Sequence, residues 1–121
     1  MRAIAGALAA VALLAGCGGA GATAQPAGST KVSMTEFKFT PSDIQVTAGT
    51  VVFFLVNDGS GTSHDMAIRD SSGKTIARSD LVSAGDSTVF TVNGLAAGTY
   101  TIFCDQPGHE ASGMHGTLTV T

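Results

Sequence analysis

Near the end of the chain, residues 103–114 read Phe103-Cys104-Asp105-Gln106-Pro107-Gly108-His109-Glu110-Ala111-Ser112-Gly113-Met114. A thiol, an imidazole and a thioether follow one another five residues apart, and His64 stands upstream. One cysteine sulfur and two imidazoles form a trigonal donor set, and a long, weak methionine contact completes the donors of a mononuclear copper electron-transfer centre. Three of those donors on one loop fix most of the geometry from a short stretch of chain. Pro107, Gly108 and Gly113 supply turns that can point the side chains inward. The fourth donor must come from a neighbouring strand. His64 follows the polar loop Asp58-Gly59-Ser60-Gly61-Thr62-Ser63, where an apolar run ends.

The elements that must position these residues are strands. Val32 to Phe39 and Ile44 to Val46 are short β-rich pieces, broken at Pro41. Thr50 to Val56 is a continuous β-branched and aromatic run and reads as a central strand. His64 to Ile68 leads into the turn cluster Asp70-Ser71-Ser72-Gly73, and Thr75 to Ala77 returns as its partner. Ser87 to Val92, Thr99 to Cys104 and Thr117 to Val120 complete the set. About eight short strands with frequent turn signals predict an all-β, Greek-key β-sandwich. Alternation puts Tyr100, Ile102 and Cys104 on one face of their strand and Thr101 and Phe103 on the other. If Ile102 faces the core, so does Cys104, at the strand's end. A core-facing thiol is inert unless something soft binds it. Phe53, Phe54, Phe90, Phe103 and Tyr100 are expected in the core, with Phe37 and Phe39 partly so.

Here a resemblance becomes definite. Tyr-Thr-Ile-Phe-Cys-Asp-Gln-Pro-Gly-His (100–109), followed by Gly-Met-His-Gly-Thr-Leu-Thr-Val (113–120), resembles the C-terminal motif of cupredoxins. The spacing of Cys, four residues, His, four residues, Met is similar to that of rusticyanins and auracyanins. The apolar strand, polar loop and His64 resemble the family's first-ligand segment, and the likeness extends over nearly all of residues 31–121. It implies His64, Cys104 and His109 as equatorial copper ligands and Met114 as the weak axial one. It also implies that His109 reaches the surface and passes the electron, with Pro107 and Ala111 in an apolar docking patch. One position departs from the pattern: the residue after the first histidine is usually neutral, often Asn or Ser, and here it is Asp65. A carboxylate can brace the cysteine loop by accepting N–H bonds. It also brings negative charge near the metal and favours the cupric form. His115 follows Met114 and is expected to face away as a surface histidine; a second weak copper site or a partner contact is the sharper alternative.

The N-terminus carries a different signal. Met1-Arg2 precedes an apolar run from Ala3 to Ala15, and then Leu14-Ala15-Gly16-Cys17. A basic start, a short apolar core and small residues before a cleavage point describe a secretory signal. The run is shorter than the roughly 20 residues of a membrane-spanning helix. Its end resembles a bacterial lipobox, which implies cleavage before Cys17 and a diacylglycerol on the Cys17 thiol. The expected organisation is a lipoprotein signal peptide over 1–16, a lipid-anchored flexible linker over 17–29 and a copper-binding domain over 30–121. Cleavage would leave 105 residues with a net charge of −4 and Cys104 as the one free thiol. Exported cysteines normally pair, so a lone one calls for another role, and metal ligation is one.

These features order the function classes. No basic run points to nucleic acid, and no Gly-rich loop leads from a strand into a helix. A multicopper enzyme needs many more histidines than the three present, two of them already assigned. The expectation is a monomeric, non-enzymatic one-electron carrier holding one copper ion, exported and anchored to a bacterial membrane. It would face the periplasm or cell exterior and serve membrane-bound redox partners. The alternative is a protein that binds, buffers or delivers copper outside the cytoplasm.

Overall fold

The computed structural model of the chain describes residues 23–121. The expected signal peptide and Cys17 lie outside the described residues. Regular structure among the described residues is β throughout. Nine strands form: β1 (Thr30–Thr35), β2 (Lys38–Thr40), β3 (Asp43–Val46), β4 (Gly49–Asn57), β5 (Ala67–Arg69), β6 (Thr75–Arg78), β7 (Ser87–Leu95), β8 (Gly98–Phe103) and β9 (His115–Val120). They build two sheets, one in the order β2-β1-β4-β7 and one in the order β3-β9-β8-β5-β6. The molecule is the two-layer β-sandwich that the strand pattern predicts.

The longest ladder pairs β4 with β7 and joins the two runs richest in β-branched and aromatic residues. Along β4, Val51, Phe53 and Leu55 alternate into the core, where Phe53 stacks on Phe90 of β7 with ring centroids 5.8 Å apart. From the facing sheet, Ile68, Ile102, Leu118 and Val120 fill the space between the layers. Cys104, just past the end of β8, and Met114, just before β9, belong to the same buried cluster, so both pack onto the hydrophobic core where these strands meet their connecting loop.

Two local expectations change. The stretch from Val32 to Phe39 is two strands joined at Glu36 and Phe37, with Met34 opposite Phe39 and Thr35 opposite Lys38. Period-2 alternation explains the break. Val32 and Met34 face the core, and a continuous strand would turn Phe39 the other way, whereas the reversal returns it to the interior. The segment beginning at His64 is also not a strand until Ala67. His64, Asp65 and Met66 are all buried in succession, which one alternating face cannot achieve. His64 instead forms an isolated bridge with Val82. Phe54 and Phe103 are buried but outside the central cluster. Phe103 lies beneath the Arg69 guanidinium, 4.2 Å from the ring centroid, and so is covered by a cation rather than by the opposing sheet.

Candidate metal centre

His64 is held by its own backbone. Its N–H donates to the Val82 carbonyl at 3.0 Å, and the Val82 N–H donates back at 2.8 Å. The loop before it is shaped by Asn57, fully buried at the end of β4. The Asn57 amide donates to the carbonyls of Thr62 (2.8 Å) and Val82 (2.9 Å), and its oxygen accepts from Gly59 N–H at 2.9 Å. A buried amide satisfied at both ends costs little and fixes the backbone it bonds. Asn57 therefore determines where His64 enters the site, a role its place at the end of an apolar run did not signal.

The loop between β8 and β9 folds on itself. Cys104 N–H donates to the Met114 carbonyl at 3.0 Å, and Met114 N–H donates to the His109 carbonyl at 3.1 Å. His109 N–H donates to Gln106 at 3.1 Å, and Gly113 N–H to Glu110 at 3.0 Å. These bonds draw the three donor-bearing residues toward one point. The loop is also tied to the adjoining hairpin. Arg69 of β5 makes a two-point contact with the Glu110 carboxylate, and Arg78 of β6 meets Asp105 at 2.7 Å.

At the centre, His64 Nδ1 lies 3.3 Å from His109 Nδ1, and His109 Nδ1 lies 3.4 Å from Cys104 Sγ. Ligand atoms of these three residues all fall within 4.8 Å of one another. Two imidazole nitrogens each about 2.0 Å from a metal and at a tetrahedral angle stand about 3.3 Å apart. The spacing thus fits one ion between them. Cys104, His64 and Met114 are sealed from solvent, and His109 is 9% exposed. With a soft thiolate, two imidazoles and a thioether at hand, the group that fits is copper, and the four residues are arranged as in a type 1 site.

Electrostatics follow from burial. Desolvation pushes the Cys104 thiol above its ordinary range, so the metal-free site holds a protonated thiol and loading a cation expels that proton. Burial likewise lowers the His64 imidazole, which keeps it neutral and its lone pair free. Asp65, next to His64, reaches the cysteine loop. Its Oδ1 accepts from Asp105 N–H at 2.7 Å, and its Oδ2 accepts from the Gln106 side chain at 3.2 Å.

Pro107 and Ala111, two residues either side of His109 on its loop, are exposed, and His115 is exposed at the start of β9. Sequence reasoning did not anticipate the contribution of the β1–β2 turn. Phe37 lies against His109 with centroids 4.8 Å apart and meets His64 edge-on at 6.4 Å, while its outer side stays exposed. The Glu36 carboxylate faces the opposite edge of His64, with Oε1 3.4 Å from Nε2. Its oxygens accept from Ser60 and Thr62 N–H groups at 3.3 Å each, and the Ser60 bond is foremost in holding the carboxyl below its usual range.

Known proteins resemble this chain to different extents. The chain is 46% identical to auracyanin-B of Chloroflexus aurantiacus over 46 residues, which are 38% of this chain and 20% of that protein. It is 40% identical to azurin of Pseudomonas fluorescens biotype A over 70 residues, 54% of each chain. It thus spans between a fifth and about half of the length of these curated relatives. A reduced auracyanin from Roseiflexus castenholzii superposes with a TM-score of 0.69 at 21% identity, covering 77% of this chain and 96% of that one, a likeness of fold. The cupredoxin-like domain family matches residues 6–120, a span that includes both segments that bring the donors together, and the chain belongs to that family.

Proposed function

We propose that this protein is a one-electron carrier with a mononuclear type 1 copper site formed by His64, Cys104, His109 and Met114. The observation that carries the reading is the convergence of two imidazole Nδ1 atoms and one buried thiol sulfur at the end of a rigid sandwich. When bound, copper supplies the Cu(II)/Cu(I) couple. The chain's residues do the rest. Backbone bonds at His64 and within the 104–114 loop hold the donors in one geometry, so little has to reorganise when charge changes. Burial of Cys104 and Met114 excludes water from the sulfur donors. His109 is the donor with residual exposure; Phe37 packs against its ring, and Pro107 and Ala111 are exposed on the same loop. An electron would leave or enter there, with these apolar groups as the docking patch.

The N-terminal sequence supports export and attachment to a bacterial membrane through a lipidated Cys17. The Gly/Ala-rich stretch that follows would let the domain reach membrane-bound redox partners from the periplasmic or outer face. A Cys17→Ser chain that still partitions with membranes would defeat the anchoring part of the proposal. The central test is the visible spectrum of residues 18–121 with Cu(II), beside Cys104→Ser. An intense blue or green thiolate-to-copper band that vanishes in the variant is expected. A pale spectrum that ignores the substitution would overturn the reading and favour copper storage or delivery.

A further inference from the structure

His64 Nε2 is a buried ring nitrogen without a well-formed hydrogen bond. Such a group is costly unless something nearby answers it. The group that stands opposite is the Glu36 carboxylate, at 3.4 Å. Glu36 lies outside both segments that carry the donors. It sits at the tip of the β1–β2 hairpin, and its side chain is 26% exposed. It is aimed by Ser60 and Thr62 N–H groups of the loop leading to His64. Gly59 leaves room for it: a Cβ at that position would lie 2.5 Å from Glu36 Oε1. Three neighbouring loop residues therefore accommodate one carboxylate directed at the far edge of a metal-ligand ring.

We propose that Glu36 is a positioning residue of the metal centre, holding the His64 proton on Nε2 so that the Nδ1 lone pair faces the other donors. Carboxylates behind metal-bound imidazoles fix the tautomer, orient the ring and strengthen it as a donor. A small closing movement turns the 3.4 Å approach into a charge-assisted bond. A negative partner behind the ring favours the more highly charged metal, so Glu36 holds the reduction potential down. The inference rests on the copper reading for its effect on potential. The tautomer in the metal-free protein is independent of it.

The test uses the full chain with Glu36→Gln, Glu36→Leu and Gly59→Ala. The Ala methyl displaces the carboxylate without removing it. In the metal-free protein at a pH where His64 is neutral, nitrogen NMR should show the Nε2–H form in wild type and a shift toward Nδ1–H in Glu36→Leu and Gly59→Ala. Gln still offers an acceptor and should preserve the tautomer. Loss of the partner should weaken Cu(II) binding by roughly 10–100-fold. Each tenfold by which Cu(II) loses more than Cu(I) raises the potential by about 59 mV. Glu36→Gln should lie between wild type and Glu36→Leu. If Glu36→Leu fails to fold, the other two variants carry the same comparison. An unchanged tautomer and potential, with only the unfolding midpoint lowered, would reduce Glu36 to a fastener of the 58–63 loop and overturn the proposal. Altered tautomers without any thiolate-to-copper band would support the positioning role while refuting the copper reading.

Discussion

Asp65 joins two donor segments with one carboxylate. It follows His64 directly, and its two oxygens accept from Asp105 N–H and the Gln106 side chain on the cysteine loop. A neutral amide of the same shape keeps one acceptor for Asp105 and presents its NH2 toward Gln106, whose own amide can turn over to accept. The bracing is thus largely preserved in Asp65→Asn, while a negative charge beside the centre is lost. The expected result is a higher reduction potential with little change in copper stoichiometry; a tenfold shift in cupric preference is about 59 mV. Voltammetry giving an equal or lower potential would contradict this. The candidate donors could be picked out in the sequence because Cys104, His109 and Met114 share one loop and the chain offers few histidines as a fourth. Glu36 and Phe37 could not. A charged residue followed by an aromatic within a β-rich stretch resembles ordinary surface and partial core. Only the reversal between β1 and β2 delivers them to the imidazoles.

Strand β9 follows directly after Met114, and its second residue cannot carry a side chain. A Cβ on Gly116 would lie 1.9 Å from the Ser42 carbonyl oxygen, the atom that accepts the Thr117 N–H at 2.9 Å. The obstacle is backbone, so no rotamer change relieves it. Gly116→Ala must spread the entry to β3 from β9 or break that bond. The expected cost is at the upper end of the ~1–3 kcal/mol typical of overpacking, read as a lower urea midpoint at unchanged m-value. An unchanged midpoint would show that the Ser42 segment yields freely. Most strands were legible because β-branched and aromatic runs in this chain are bounded by Gly, Pro, Asn and Asp. The errors lie where alternation fails. Val32, Met34 and Phe39 cannot share a face on one strand, and the buried succession His64-Asp65-Met66 serves both faces at once. The arginine ties from β5 and β6 to the loop were equally hidden, since ion pairs between distant surface positions leave no local pattern.

Across the whole molecule, the donors come from two places that the chain's own contacts join only in part. His64 is fixed by paired backbone bonds to Val82, after a loop braced by Asn57 at the end of β4 in the β2-β1-β4-β7 sheet, whereas Cys104, His109 and Met114 lie on the loop between β8 and β9 of the other sheet. A single ion held by all of them would close the end of the sandwich across both layers. Binding only to the folded form raises stability by an amount set by mass action, about 2.7 kcal/mol at a free concentration one hundred times Kd. For a domain of this size that corresponds to a rise in Tm of roughly 10–20 °C. Thermal unfolding of residues 18–121 with excess Cu(II) should show that rise in the wild-type protein. Cys104→Ser removes the soft donor but leaves both imidazoles, so most of the gain should vanish while the metal-free Tm changes far less. Equal copper-induced shifts in the two proteins would mean that the metal engages surface groups such as His115 rather than bridging the sheets.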